Sequence, residues 1–222
     1  MRSGRKTSGI FSHFGTAFLA LTVALFWPAG GSFIPLLFCL SFDMRKLTHS
    51  EISEKRIPTE HIESASRIPL IVLVDNIRSL YNVGSIFRTS DGVMIEKLIL
   101  AGFTPHPPRK EIEKTALGST KSVPWEYVKH PIETIHTLKE SGYKICCLEL
   151  TDKSIPHYAI RKTDFPMCLV IGNEITGVTK EVIELCDVGI EIPMFGTKQS
   201  LNVAVAYGIA VFELAKIWRD TQ

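Results

Sequence analysis

PLIVLVD, residues 69–75, is a continuous apolar run rich in β-branched residues. It lacks the alternation of a half-exposed strand, so it reads as a strand covered on both faces, the pattern of a parallel sheet. The chain downstream repeats the theme. EKLILAG (96–102), YKICCLEL (143–150), MCLVIG (167–172) and VGIEIP (188–193) read as strands. IETIHTLKESG (132–142) and KEVIELCD (180–187) read as helices between them, the first closed by Gly142. Strand followed by helix, repeated, predicts an α/β fold with a mainly parallel sheet and helices on both faces.

The alternation ends in IPMFGTKQSLNVAVAYGIAVFE, residues 192–213. A strand end at Ile192 and Pro193 gives way to a loop through Gly196, Lys198 and Gln199, and a helix is expected from Ser200. Apolar residues occupy nearly every face of that helix, which predicts one with no solvent side. Ser200 and Asn202 at its entry place a hydroxyl, an amide and free backbone N–H groups before whatever sits there.

Upstream, residues 44–68 are polar and charged. Thr48 followed by Glu51 predicts a capping box on a short helix that ends before Pro58. Residues 1–43 differ in character: Arg2, Arg5 and Lys6, then FLALTVALFW at 18–27, then SFIPLLFCLSF. The first apolar core is about half the ~20 residues that span a bilayer, and Pro28, Gly30 and Gly31 interrupt it. The preferred reading takes Met44 as an ordinary soluble start and residues 1–43 as upstream sequence. A signal or membrane anchor, and a folded functional segment, are the alternatives. The working division is therefore 1–43, a polar lead-in over 44–68, and one functional domain over 69–222.

The 222 residues carry a formal net charge of +2, which permits a local basic patch but falls short of a dedicated nucleic-acid-binding domain. Five cysteines, with Cys146 and Cys147 adjacent in a strand, argue against a disulfide framework and for a reducing, cytoplasmic compartment. There is no CxxC or HExxH, so no metal site is expected. No GxGxxG follows the first strand and no GxxxxGK[ST] occurs, which disfavours a Rossmann or P-loop nucleotide site.

Three clusters remain. DNIRSLYNVGSIFRTSDG (75–92) follows the first strand; Asn76, Asn82 and Gly84 make a polar, turn-permissive approach to a helix whose Arg88 leans back toward its N-terminal end. An N-cap is the alternative role for Asn82, and a solvated arginine for Arg88. LVIGNEITGV (169–178) forms a loop at the carboxyl end of a strand, the edge where open α/β sheets bind ligands. Gly172 permits close approach there and Glu174 suits an arginine or a polar ligand group. SLN at 200–202 is the third.

Together, NVGSIFRTSDG from Asn82, VIGNEITGV from Val170 and IPMFGTKQSLNVAVAYGIAVFE from Ile192 resemble motifs 1, 2 and 3 of the SpoU (TrmH) branch of the SPOUT RNA methyltransferases. The resemblance spans about residues 69–218. It implies methyl transfer from S-adenosylmethionine to a ribose 2′-oxygen of tRNA or rRNA. It implies a catalytic set of Arg88, Asn82, Glu174, Ser200 and Asn202, with Glu174 acting through the motif 1 arginine of its own or a partner subunit. Gly172, Ile192, Met194, Gly196 and Leu201 would line the donor site. A carboxyl-terminal trefoil knot and a homodimer packed through the last helix are also implied.

KTALGST (114–120) resembles a loop after the second strand in some family members; Lys110, Lys114 and Lys121, with Arg109, are candidates for RNA contact. Trp125 is read as a core residue rather than a base-stacking one. No separate RNA-recognition domain precedes residue 69, which favours tRNA over rRNA. No histidine lies in the three motifs, and a guanidinium resists deprotonation, so Arg88 is expected to orient and polarise the hydroxyl while an RNA phosphate or water takes the proton. A catalytically silent RNA-binding or assembly protein on the same fold, and a membrane-anchored protein directed by residues 1–43, are the competing functions.

Overall fold

The structure, a computed structural model, describes residues 44–220. The reading of residues 1–43 lies outside them. Helix α1 (His49–Glu54) carries the expected capping box: the Glu51 N–H donates to Thr48 Oγ1 at 3.4 Å and the Thr48 N–H donates to the Glu51 carboxylate at 2.7 Å. Arg45 pairs with the same carboxylate.

The second compact unit begins at Ile57. Its elements run β1 (Ile68–Asp75), α2 (Leu80–Val93), β2 (Ile95–Ala101), α3 (Lys110–Ala116), β3 (Trp125–Val128), α4 (Pro131–Glu140), β4 (Lys144–Leu148), β5 (Ile155–Pro156), β6 (Met167–Ile171), α5 (Lys180–Ile183), β7 (Val188–Glu191) and α6 (Val203–Arg219). The sheet order is β3-β2-β1-β6-β4-β7-β5, and every strand pair is parallel. No helix among the described residues is long and apolar enough to cross a membrane.

β1 is an interior strand, flanked by β2 and β6, which accounts for its unbroken apolar run. Leu70, Val72 and Val74 enter the core that holds residues of α2, α3 and α6, while Ile71 and Leu73 enter a second core with α4 and α5. Helices thus cover both faces. Trp125 packs edge-on against Phe87 at 6.1 Å and joins the first core, as its sequence context predicts.

Four local expectations are corrected. The helix expected over 180–187 stops at Ile183, and Leu185–Asp187 form the turn into β7. The Asp187 carboxylate accepts from the Ile145 N–H and from Lys139 Nζ, so it is committed to that turn. KTALGST is not wholly a loop: its first three residues end α3 (Lys110–Ala116), which is capped by Leu117 at φ 50. The last helix starts at Val203, leaving Ser200 outside it. Finally, α6 is not covered all round: Val205, Ile209 and Phe212 are 51%, 41% and 55% exposed and make an i, i+4, i+7 stripe.

α6 packs on α2 although β7, which precedes it, lies far from β1 in the sheet order. The Ser90 and Tyr207 hydroxyls hydrogen-bond at 2.7 Å in full burial, and Arg219 donates to the Val93 carbonyl at 3.2 Å. α2 meets α3 at Gly84, where an added Cβ would overlap Thr115 Oγ1 and the Ile112 carbonyl. Backbone cannot yield there, so Gly84→Ala is expected to cost about 1–3 kcal/mol of stability. That corresponds to a Tm lowered by ~2–4 °C per kcal/mol in a thermal melt. In the same helix an added Cβ at Gly92 meets only the Phe212 ring at 3.6 Å, so Gly92→Ala is expected to be neutral or mildly stabilising.

Candidate active site

The carboxyl ends of β1 and β6 lie side by side, and their loops carry the first two motifs. The β1 loop turns sharply at Asn76, φ 57, where a side-chain amide helps a non-glycine residue hold the left-handed conformation. Asn76 Nδ2 donates to Asp75 at 2.9 Å, its Oδ1 accepts from the Phe103 N–H at 3.1 Å, and its carbonyl accepts from Asn173 Nδ2 at 2.7 Å. Asn173 Oδ1 in turn accepts from the N–H groups of Ile175 and Thr176 at 2.8 and 3.1 Å, which closes the motif 2 loop. Asp75 is fully buried beneath; burial pushes its carboxyl up, and the Thr179 N–H and hydroxyl draw it part of the way back.

Glu174 is the centre of the arrangement. Its carboxylate accepts from the Arg78 N–H at 3.0 Å, the Ser79 N–H at 3.1 Å and Asn82 Nδ2 at 2.8 Å. Desolvation raises its pKa, but the backbone bonds together with the Asn82 amide outweigh it, and the net shift is downward from 4.5. A depressed value in the folded state means the carboxylate's contribution is complete above the ordinary range and is lost as pH falls through the lowered one. Asn82 is not the N-cap of α2; Ser79 is, accepting from the Asn82 N–H at 3.3 Å. The Asn82 side chain is thereby freed to bridge Glu174 and Asn202, whose Nδ2 donates to Asn82 Oδ1 at 3.2 Å.

Asn202 does two jobs. Its Oδ1 caps α6, accepting from Ala204 N at 3.0 Å and Val205 N at 3.4 Å, while its amide nitrogen reaches the first motif. The hydrogen-bonded series Glu174–Asn82–Asn202 therefore joins three segments separated by up to 120 residues. The expected contact of Glu174 with Arg88 is not made within the chain. Arg88 is exposed on α2, and its guanidinium has no hydrogen bond or ion pair among the described residues.

Beside this series lies a cleft of about 270 Å³. Leu148, Ile171, Ile190 and Leu201 supply apolar wall, and Glu149, Glu174, Glu191, Ser200 and Asn202 supply polar groups. Gly172, Ile192, Met194 and Leu201, expected at the donor site, all line it, whereas Gly196 does not. Asn82 and Arg88 are outside the lining as well. At Gly172 a Cβ would overlap the backbone of Gly177 and Val178, so only glycine lets the loop fold over the strand end. Gly177, at φ 70, lies against Glu149, whose Oε2 accepts from the Val178 N–H at 3.0 Å. Lys110, Lys114 and Lys121 are exposed on and after α3, away from the cleft lining.

Asn76 and Asn173 stand in the first two sequence clusters as polar loop residues with no role assigned, and Glu149 was passed over. Glu149 had a local signal, an acid at the end of a buried strand beside the apolar run ICCL. Asn76 and Asn173 had none beyond their place in turns, since both act through partners distant in the chain.

Comparison with known proteins agrees with this geometry. The SpoU rRNA Methylase family model matches residues 69–212. The tRNA (guanosine(18)-2′-O)-methyltransferase of Aquifex aeolicus is 37% identical over 147 residues, 65% of this chain and 67% of that protein. The 23S rRNA (guanosine-2′-O-)-methyltransferase RlmB of Neisseria meningitidis is 30% identical, over 68% of this chain and 60% of that one. These matches span about two thirds or less of the relatives' own length. Among solved structures, the A. aeolicus TrmH/SpoU tRNA modifying enzyme superposes with a TM-score of 0.66 at 32% identity, covering 77% of this chain and 86% of that one. The AdoMet-bound rRNA methyltransferase of Sinorhizobium meliloti gives 0.62 at 29% identity, covering 66% and 55%. Motifs, strand order and site lining point the same way: the chain belongs to the SpoU rRNA methylase family.

Proposed function

We propose that this protein transfers a methyl group from S-adenosylmethionine to a ribose 2′-hydroxyl of tRNA or rRNA. The observation that carries this is the Glu174–Asn82–Asn202 series, which fixes all three motifs around one apolar-walled cleft. The names of the two curated relatives, and the AdoMet-bound neighbour, support both the reaction and the donor. tRNA is the favoured substrate, in line with the Aquifex relative.

The cleft suits the donor on its own features. Leu148 and Leu201 offer apolar contact to a flat ring system, and Gly172 lets the loop approach closely. When bound, the donor supplies an electrophilic methyl on a sulfonium. Alignment with the ribose oxygen is the larger part of what such a site contributes. Glu174 and Asn82 position the β1 loop, Ser200 and Asn202 set the rim of the cleft, and Arg88 orients and polarises the hydroxyl. A guanidinium stays protonated, so the proton passes to RNA phosphate or water.

Arg88 reaches a ribose through dimerisation. On α2 it shares a face with Gly92, four residues on, and Gly92 lies against Phe212 at the edge of the exposed α6 stripe. A homodimer packed through Val205, Ile209 and Phe212 would cover that stripe and set Arg88 at the seam, beside the partner's cleft. The return of α6 across the sheet to α2 supports a carboxyl-terminal trefoil knot. Free thiols at Cys146, Cys147, Cys168 and Cys186 are in keeping with a cytoplasmic enzyme. Residues 69–222 are taken as the catalytic unit.

Three outcomes are expected. Arg88→Ala should lower single-turnover methylation at least ~100-fold while leaving donor affinity, measured by calorimetry, intact. Glu174→Gln keeps the shape but weakens three charge-assisted bonds, so kcat/KM should fall by about 10–100-fold. Phe212→Asp should convert a dimer to monomer in sedimentation and remove methylation with it; a fully active monomer would contradict the shared site.

A further inference from the structure

Phe103 is 62% exposed, yet the backbone on either side of it is tied down by hydrogen bonds. Its N–H donates to Asn76 Oδ1 at 3.1 Å. The preceding Gly102 carbonyl accepts from the Tyr127 hydroxyl at 2.8 Å. The next residue, buried Thr104, donates from Oγ1 to the Val74 carbonyl at 3.0 Å and accepts from the Ile77 N–H at 3.1 Å. A loop pinned at three consecutive residues thus presents a phenyl ring to solvent, where it adds nothing to the core.

The ring has company. Tyr127, 42% exposed, lies tilted against exposed His106 at 4.9 Å between centroids, and Trp125 stacks with His106 at 6.3 Å. The loops that follow β1, β2 and β3 also carry the cations Arg78, Arg109, Lys110 and Lys129, all exposed, and none has a side-chain hydrogen bond or ion pair among the described residues. All lie at the carboxyl edge of β1, β2 and β3. Asn76 ties the Phe103 loop to Asn173, and the Arg78 N–H is held by Glu174, so this shelf adjoins the motif 1 and motif 2 loops. Rigid exposed rings among unpaired cations fit a strand with π-faces and a phosphate backbone.

We infer that the β2–α3 loop and the end of β3 form a single-stranded RNA subsite, in which an unpaired base flanking the target nucleotide stacks on Phe103 and the adjoining phosphates meet Arg109, Lys110 and Arg78. The inference rests on the proposed RNA methyltransferase activity and says where that RNA runs. A protein surface would also value an exposed phenylalanine, but four uncompensated cations favour a polyanion.

The test uses the full chain and a fluorescent single-stranded oligoribonucleotide of about ten nucleotides containing 2-aminopurine, a length within the range such grooves bind. Wild-type protein should bind it and quench the 2-aminopurine. Phe103→Ala should weaken binding ~10-fold and lose the quench, and Phe103→Trp should restore both. Arg109→Ala with Lys110→Ala should reduce the salt slope of log K by about 0.7 per cation removed. KM for RNA should rise in Phe103→Ala with donor affinity unchanged. Wild-type-like binding and quenching by Phe103→Ala would overturn the subsite while leaving the methyltransferase reading in place. Wild-type protein that binds donor and methylates RNA but does not bind the oligonucleotide would do the same. Protein that binds neither donor nor RNA would overturn both.

Discussion

A single carboxylate organises this site. Glu174 takes two backbone N–H groups from the loop after β1 and the amide of Asn82, and Asn82 passes the connection to Asn202 at the head of α6. Hydrogen bonds to an ionised acceptor are shorter and stronger than neutral ones, so this is the firm point of an otherwise open edge. The β1 loop would otherwise leave the Arg78 and Ser79 N–H groups to solvent, and α6 would begin without reference to α2. The fold supplies the platform: two parallel strands end together, and the half-buried α6 returns across the sheet to meet them. Glu174 then converts that proximity into fixed geometry.

The same constraint explains why Gly172 and Gly177 are needed around it. Gly172 allows β6 to end directly beneath the returning loop backbone, and Gly177 takes a positive φ against Glu149. A side chain at either position would push the motif 2 loop outward and move Glu174 away from Arg78 and Ser79. Specific backbone shape, rather than a large number of functional side chains, is therefore what the motif encodes. The apolar cleft follows from it, since the loops diverge above the strand ends Ile171 and Ile190, which form its floor.

Much of this was legible in the chain. The run at 69–75 announced a central parallel strand, and the three polar clusters announced loops at one sheet edge. The Thr48–Glu51 capping box was readable because both partners lie within one turn. The failures share a cause, which is dependence on residues distant in sequence. Asn82 looks like a helix cap locally, but Ser79 takes that role because Glu174, 92 residues away, claims the Asn82 amide. The end of α5 is set by Asp187 bonding to Ile145 and Lys139 on neighbouring elements. The apolar surround of α6 suggested burial on all sides, yet Val205, Ile209 and Phe212 stay about half exposed among the described residues, which periodicity alone cannot express.

Everything proposed for the site depends on the three joined motifs acting on a ribose oxygen. The most direct measurement incubates the protein begun at Met44 with methyl-labelled S-adenosylmethionine and total RNA, digests the product to nucleosides and locates the label. The account predicts label on a ribose 2′-oxygen at a defined nucleotide. Label on a base, or unlabelled RNA from folded protein that has bound the donor, would contradict it.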